Sequence, residues 1–344
     1  MNKLTKVGFS ALCGSLAAIS AANAGDLTVT GGADLTYTSI GTTVNGNPFG
    51  MASAVTFAGS GELDNGWTFA LTIAEGDGVA YSASNVDIVM GGYGSFNINQ
   101  GNSGNGIVIY DNVLPTAWEE AHGAGLSGGV KTVAGVGTSD NIAYRFPKVL
   151  GTEIQIAYAH DQGTTDTADK ASQSNSDATG RGYDLTVKIN PSLGTEILSG
   201  LNLYAGASVI EVYDNNNTLE DKYEGVGAVT YALGPVEVGA MWSGLYSGVQ
   251  TGVHSYKNHG FGIAFNVNDD FSVSYGEYQT RKAGYSTNRT QGEEATRVVE
   301  VTSWQAAYTM GGASFRIADV KADNVLFAAG VSQEATIVSM GLAF

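Results

Sequence analysis

A membrane-spanning antiparallel β-barrel of about 16 strands is the fold class that this sequence predicts, and three observations predict it. Apolar and polar residues take turns over segments near the 9–11 residues that a tilted strand needs to cross a bilayer. Between those segments, short turns alternate with long polar connections. The last segment, Glu334 to Phe344, sets Thr336, Val338, Met340 and Leu342 on one face and mostly small residues on the other, and it finishes on an aromatic residue. In water such a strand is an aggregation edge. As the closing strand of a barrel, paired with the first, it leaves no edge at all. Taken alone, the segment also fits the edge of a soluble secreted sandwich.

The chain opens with Lys3 and Lys6, an apolar run from Val7 to about Ile19, and Ala22-Asn23-Ala24. This is the pattern of a secretory signal peptide over residues 1–24, and the run falls short of the roughly 20 residues of a membrane helix. Cys13 lies within it, behind a Leu12 too large for a lipoprotein cleavage site. The mature chain, residues 25–344, therefore has no cysteine, and with it no disulfide framework, thiol nucleophile or thiolate metal site. Taking the two leader lysines from 16 basic residues, against 33 acidic ones, leaves a net charge of −19. That charge argues against a nucleic-acid partner. With 48 Gly, only 5 Pro and 10% aromatics, the chain is neither a disordered acidic tail nor a collagen-like repeat.

The first strand, about Asp26 to Ser39, puts Leu27, Val29, Ala33, Leu35 and Tyr37 on one face and Thr28, Thr30, Asp34 and Thr36 on the other. A loop through Asn45-Gly46-Asn47-Pro48 leads to the second strand, and Asp64-Asn65-Gly66 is the tightest hairpin signal in the chain. Trp67 to Ala74 then alternates without a fault. Strands four and five, around Val86–Met90 and Ser95–Gln100, meet at Gly92-Tyr93-Gly94. The longest insertion follows, Gly101 to about Ser139. Strands six (Asn141–Phe146) and seven (Glu153–His160) are joined near Leu150-Gly151, and further hairpins are centred on Pro191–Gly194, Leu233–Pro235, Asn268–Asp270 and Gly311-Gly312. Longer loops are expected near Asp161–Gly180, Asp214–Asp221, Ser247–His254, Arg281–Thr296 and Asp319–Gln333. With the closing strand the count reaches sixteen, and 320 mature residues allow 20 for each strand and its connector. Alternation slips between Val301 and Trp304, which calls for a bulge there.

Unpaired backbone groups in hydrocarbon cost several kcal/mol each, so a chain without membrane helices must close its sheet. By strand parity Asp34, Glu62, Asp87, Arg145, Glu153, Asp184, Lys188, Glu237 and Arg316 share the face opposite the aromatics and line a wet interior. Six acids against three bases predict mild cation selectivity.

Several stretches now resemble the general porins of Gram-negative bacteria. Phe57-Ala-Gly-Ser-Gly-Glu-Leu-Asp-Asn-Gly-Trp67 is similar to their second hairpin, Asn85–Gln100 to the next, and Asn141-Ile-Ala-Tyr-Arg-Phe-Pro147 to the strand after their constriction loop. Phe344, with Met340 and Leu342 before it, resembles the outer-membrane assembly signal. The resemblance implies a sixteen-stranded homotrimer in the bacterial outer membrane, in contact with its lipid and lipopolysaccharide. It also implies passive diffusion of small hydrophilic solutes and ions. The loop after strand five would fold inward and carry acids, for which Asp111, Glu119 and Glu120 are the candidates; a solvated loop face is the other reading of those acids. Leu114 to His122 could form a short helix with Pro115 at its first position. Porins usually set basic residues on early strands opposite this loop, whereas here those strands carry Asp34, Glu62 and Asp87. Lys131 in the loop is a candidate substitute.

No cofactor is expected. The oxygen-rich loops Asp161–Asp177 and Asp214–Asp221 suit a weakly held divalent cation such as calcium, though neither has the spacing of a dedicated calcium loop. The four histidines, His122, His160, His254 and His259, fall in or beside loops without a His-Glu-x-x-His or Gly-x-Ser-x-Gly motif, so no enzyme is predicted. A substrate-selective channel and a non-conducting structural or adhesive barrel remain as alternatives.

Overall fold

The computed structural model describes residues 27–41, 47–77, 79–100, 104–137, 139–160, 179–191, 197–212, 220–248, 253–285 and 292–344. The expected leader at 1–24 and most of the two oxygen-rich loops, 161–178 and 213–219, lie outside the described residues. Sixteen antiparallel strands form one closed barrel in which each strand pairs with its neighbours in sequence and the last returns to the first. They are β1 (Leu27–Ile40), β2 (Phe49–Glu62), β3 (Thr68–Gly76), β4 (Val79–Val89), β5 (Ser95–Gln100), β6 (Asn141–Arg145), β7 (Thr152–Ala159) and β8 (Thr179–Ile189). The second half comprises β9 (Leu201–Val212), β10 (Lys222–Leu233), β11 (Val236–Tyr246), β12 (Val253–Asn266), β13 (Phe271–Tyr285), β14 (Gly292–Met310), β15 (Ala313–Asp323) and β16 (Gln333–Ala343). Because strands alternate in direction, successive connections alternate between the two ends of the barrel. The tight β2–β3, β10–β11, β12–β13 and β14–β15 hairpins share one end and the long β5–β6 connection lies at the other, although β3 ends at Gly76 and β4 begins at Val79, a tight connection at that second end.

The seam is β1 against β16, in unbroken register from Gly32↔Ala343 to Ile40↔Ala335. At its foot the backbones of Gly31 and Phe344 exchange hydrogen bonds of 3.0 and 2.9 Å. A Cβ on Gly31 would stand 2.7 Å from the far edge of the Phe344 ring, so any other residue there makes the terminal aromatic shift.

Alternation sorts side chains as a bilayer requires. Leu35, Tyr37, Phe57, Leu71, Phe261, Val338 and Leu342 project outward and stay exposed, and so do Trp242 and Trp304. The apolar core is inside the barrel. Ile107, Leu114, Trp118 and Val133 of the long connection between β5 and β6 pack on Val226, Met241, Tyr278, Val299, Val301, Val320 and Ile337 of the wall.

That core explains the one strand where periodicity misled. β14 needs no bulge between Val301 and Trp304, because its pairing with β13 is continuous from Val298 to Tyr308, and the irregularity lies opposite Arg281–Ala283. Val299 and Val301 point inward and are fully buried, while Trp304 points outward. An apolar residue faces the lumen here because the inner loop covers it and keeps it dry. The strands β13 and β14 also run into the stretch expected as a loop at Arg281–Thr296, pairing as far as Tyr285↔Gly292.

Candidate pore and its inner loop

The connection between β5 and β6 is bonded to the inner wall at several places along its length. Asn105, fully buried, donates to Asn97 Oδ1 (2.7 Å) and Asn141 Oδ1 (2.8 Å) and accepts from Arg145 Nη2 (3.0 Å). Arg145 in turn pairs with Asp87 at 3.1 Å. Next, the two legs of the loop converge on carboxylates of the wall. Asp184 Oδ2 accepts from the N–H of Ile107 (2.8 Å) and of Val136 (3.1 Å), and Glu224 Oε2 accepts from Ala134 (2.6 Å) and Gly135 (3.0 Å). Gly106 and Gly135 both have positive φ, and a Cβ on either would lie within 2.2 Å of Asp184 Oδ2, so the approach depends on glycine.

A third attachment replaces the short helix expected at Leu114–His122. The N–H groups of Trp118 and Glu119 donate to Gln305 Oε1 (3.1 and 3.0 Å), that of Ala117 donates to Ser274 Oγ (2.8 Å), and Gln305 Nε2 donates to the Glu119 carbonyl (2.7 Å). Wall side chains take the bonds that a helical turn would have made internally. Beneath this segment Arg316 pairs with Asp34 at 3.0 Å, Ser339 Oγ donates to the other Asp34 oxygen, and the Arg316 guanidinium lies 5.6 Å from the Trp118 ring centre.

The loop's acids sit where water is scarce. Burial pushes Asp111 up to about 7. Glu120 is driven to about 8 by burial, with Glu119 and Asp111 adding repulsion. Burial also raises Glu119, although Arg316 opposes the shift. His122 packs on the Tyr278 ring at 4.5 Å, and desolvation lowers it to about 4, so the imidazole is neutral. Facing the loop across a cavity of about 510 Å³ are Glu153, Lys188, Tyr204 and Glu237, with Glu119, Glu120, Asn112 and Tyr110 on the loop side. Lys188 Nζ stands 5.6 Å from the Tyr204 ring centre.

The residues singled out in the sequence separate into three sets. Glu119, Glu120, Glu153, Lys188 and Glu237 meet at this cavity. Asp184, Arg316 and Asp34 face inward but lie largely buried under the loop, so they do not belong in a count of lumenal charge. Glu62 is exposed at the short-turn end, Asp87 and Arg145 hold the loop's base, and Lys131 is exposed with its carbonyl bonded by Asn258 Nδ2 (2.6 Å). Sequence reasoning missed Glu224 and the inward-facing Lys222 and Lys282. Extending parity through β10 and β13, from Thr230 and Ser274, would have found them. Among the described residues no cluster of three metal-ligating side chains occurs.

A family model described as Gram-negative porin matches residues 9–309. The anion-selective porin from Comamonas acidovorans superposes with a TM-score of 0.64 at 13% identity, covering 93% of this chain and 100% of its own. A Salmonella typhi OmpF complex with daunomycin gives 0.65 at 12% identity over 93% and 98%. A loop L8 deletion mutant of OmpT, an outer membrane protein of Vibrio cholerae, gives 0.65 at 10% identity over 94% and 100%. No curated protein matches the chain.

Proposed function

The chain belongs to the Gram-negative porin family, and from that premise we propose that it forms a water-filled channel through the outer membrane for passive diffusion of small hydrophilic solutes and ions. The observation that carries this reading is the cavity left between the inner loop and the β7–β11 wall, polar on both sides inside a closed barrel. Residues 104–140 act as the constriction, with Glu119 and Glu120 at its edge. The export leader is residues 1–24, the barrel domain is 25–344, and the assembly is a homotrimer seated in lipid and lipopolysaccharide.

Four glutamates against Lys188 at the cavity favour mild cation preference, because fixed carboxylates concentrate cations in a narrow passage. The preference stays mild because Glu120 holds its proton near neutrality. Purified protein in a planar bilayer should conduct, and its reversal potential under a potassium chloride gradient should carry the cation sign. Anion sign would overturn the charge assignment. A complete absence of conductance would instead favour a structural or adhesive barrel.

A further inference from the structure

The connection after β15 turns back over the inner loop in a conformation that side chains rarely adopt. Asn324, Leu326 and Phe327 all have positive φ, at 53°, 53° and 64°. Several hydrogen bonds hold this tip. Leu326 N–H donates to the Gly128 carbonyl of the inner loop (2.8 Å) and Phe327 N–H to the Asn324 carbonyl (2.8 Å). Asn324 Nδ2 donates to the Val298 carbonyl (3.0 Å), and Gly330 N–H donates to Asn324 Oδ1 (3.2 Å). Left-handed backbone at a Leu-Phe pair persists only where the surroundings over-determine it, and such strain gathers at binding and switching sites.

The strained tip brings an aromatic ring to a cation. Lys282 Nζ lies 4.4 Å from the Phe327 ring centre, and the Tyr256 ring is 6.2 Å from that of Phe327. Tyr256 and Lys282 are cross-strand partners of β12 and β13, on the same inward face as the pair Asn258 and Thr280. Asn258, two residues along from Tyr256, holds the backbone of Lys131, whose side chain is exposed. Leu326 beside them is 72% exposed and offers apolar surface. At the long-connection end of a strongly acidic molecule, therefore, the channel mouth carries an ammonium, two rings and a leucine on a backbone held by the tip's hydrogen bonds.

Resting on the channel reading, we propose that Lys282, Phe327, Tyr256 and Leu326 form a solute-binding subsite in the mouth for small anions with a flat apolar body, the class of aromatic carboxylates. The ammonium takes the carboxylate through charge-assisted hydrogen bonds, and the rings and Leu326 cover the apolar part. Pre-ordering by the strained tip lowers the entropy lost on binding. The glutamates deeper in the channel then oppose onward passage, so such a solute lingers at the mouth and obstructs current.

Benzoate and acetate are the probes, each added to the long-loop side of a planar bilayer and, separately, titrated by calorimetry into the detergent-held trimer. The expected result is saturable loss of conductance and saturable heat with benzoate, with neither from acetate at the same concentration. Lys282→Gln should weaken the benzoate effect by about tenfold, as should Phe327→Ala, each measured relative to the variant's own unblocked conductance. Both substitutions leave the Leu326 N–H bond to Gly128 available, so a tip that merely latches the inner loop would show no benzoate effect in any variant. Equal effects of benzoate and acetate, or none from either, overturn the subsite. Binding by calorimetry without any conductance would leave the subsite standing and remove the channel.

Discussion

At Glu120, position within the fold decides protonation, and with it the charge at the edge of the cavity. The carboxyl titrates near 8 in the folded chain against about 4.3 in an unfolded one, so the folded state holds an extra proton between those values. Stability is therefore highest below that window and falls as pH rises through it toward 8. The same titration adds negative charge to the cavity edge, and Asp111, near 7, contributes in the same direction. Cation preference should accordingly rise between about pH 6 and pH 9, while the temperature at which the folded barrel collapses on a gel should fall. Glu120→Gln should flatten most of both trends. If permeability ratios stay constant across that range in the wild-type protein, Glu120 does not face permeating ions. The sequence marked this residue through its place in the longest insertion, but its shifted titration comes from burial and from Glu119 and Asp111 nearby, which the sequence alone does not disclose.

At the scale of elements, the inner loop is held by wall carboxylates and glutamine amides, and its regular structure among the described residues is a single 3-10 turn over Ile107–Tyr110. Asp184 satisfies one N–H on each leg, so Asp184→Ala leaves two buried donors unpaired, each costing about 1–3 kcal/mol. Strand content by circular dichroism should be unchanged, whereas open-channel noise should increase as the loop loosens. A variant as quiet as the parent would mean that Glu224 and the asparagine cluster suffice. The strands themselves were legible, because lipid on one side and water on the other write a period of two. That rule lapsed where neither solvent applied: Val299 and Val301 face inward under the loop, and there the alternation looked broken. The expected helix at Leu114–His122 failed for a related reason. Local preference was outbid by Gln305 and Ser274, and nothing near residue 118 announces those partners.

For the whole molecule, strand number, most of the alternation of tight and long connections and the closing strand could be read from the chain, since each follows from sealing every backbone group against hydrocarbon. But β4 starts at Val79, not near Val86, which makes its link to β3 a tight one. Which lumenal charges remain wet could not, because Asp184, Arg316 and Asp34 share the parity of Glu153 and Glu237 and differ only in being covered. Closure itself has a test. Gly31→Val places a branched side chain where Phe344 lies, and refolding into detergent should yield far less compact, heat-modifiable protein than the parent. A compact yield equal to the parent's would mean that the terminal ring is free to move aside at no cost.

Joining Gly32 to Ala343 also imposes an order on biogenesis. Until synthesis reaches its last residues, two raw margins with unspent backbone donors and acceptors are available to any neighbouring molecule. A copy whose seam is still open is consequently a template for tangling, and pairing the two margins with each other withdraws that template.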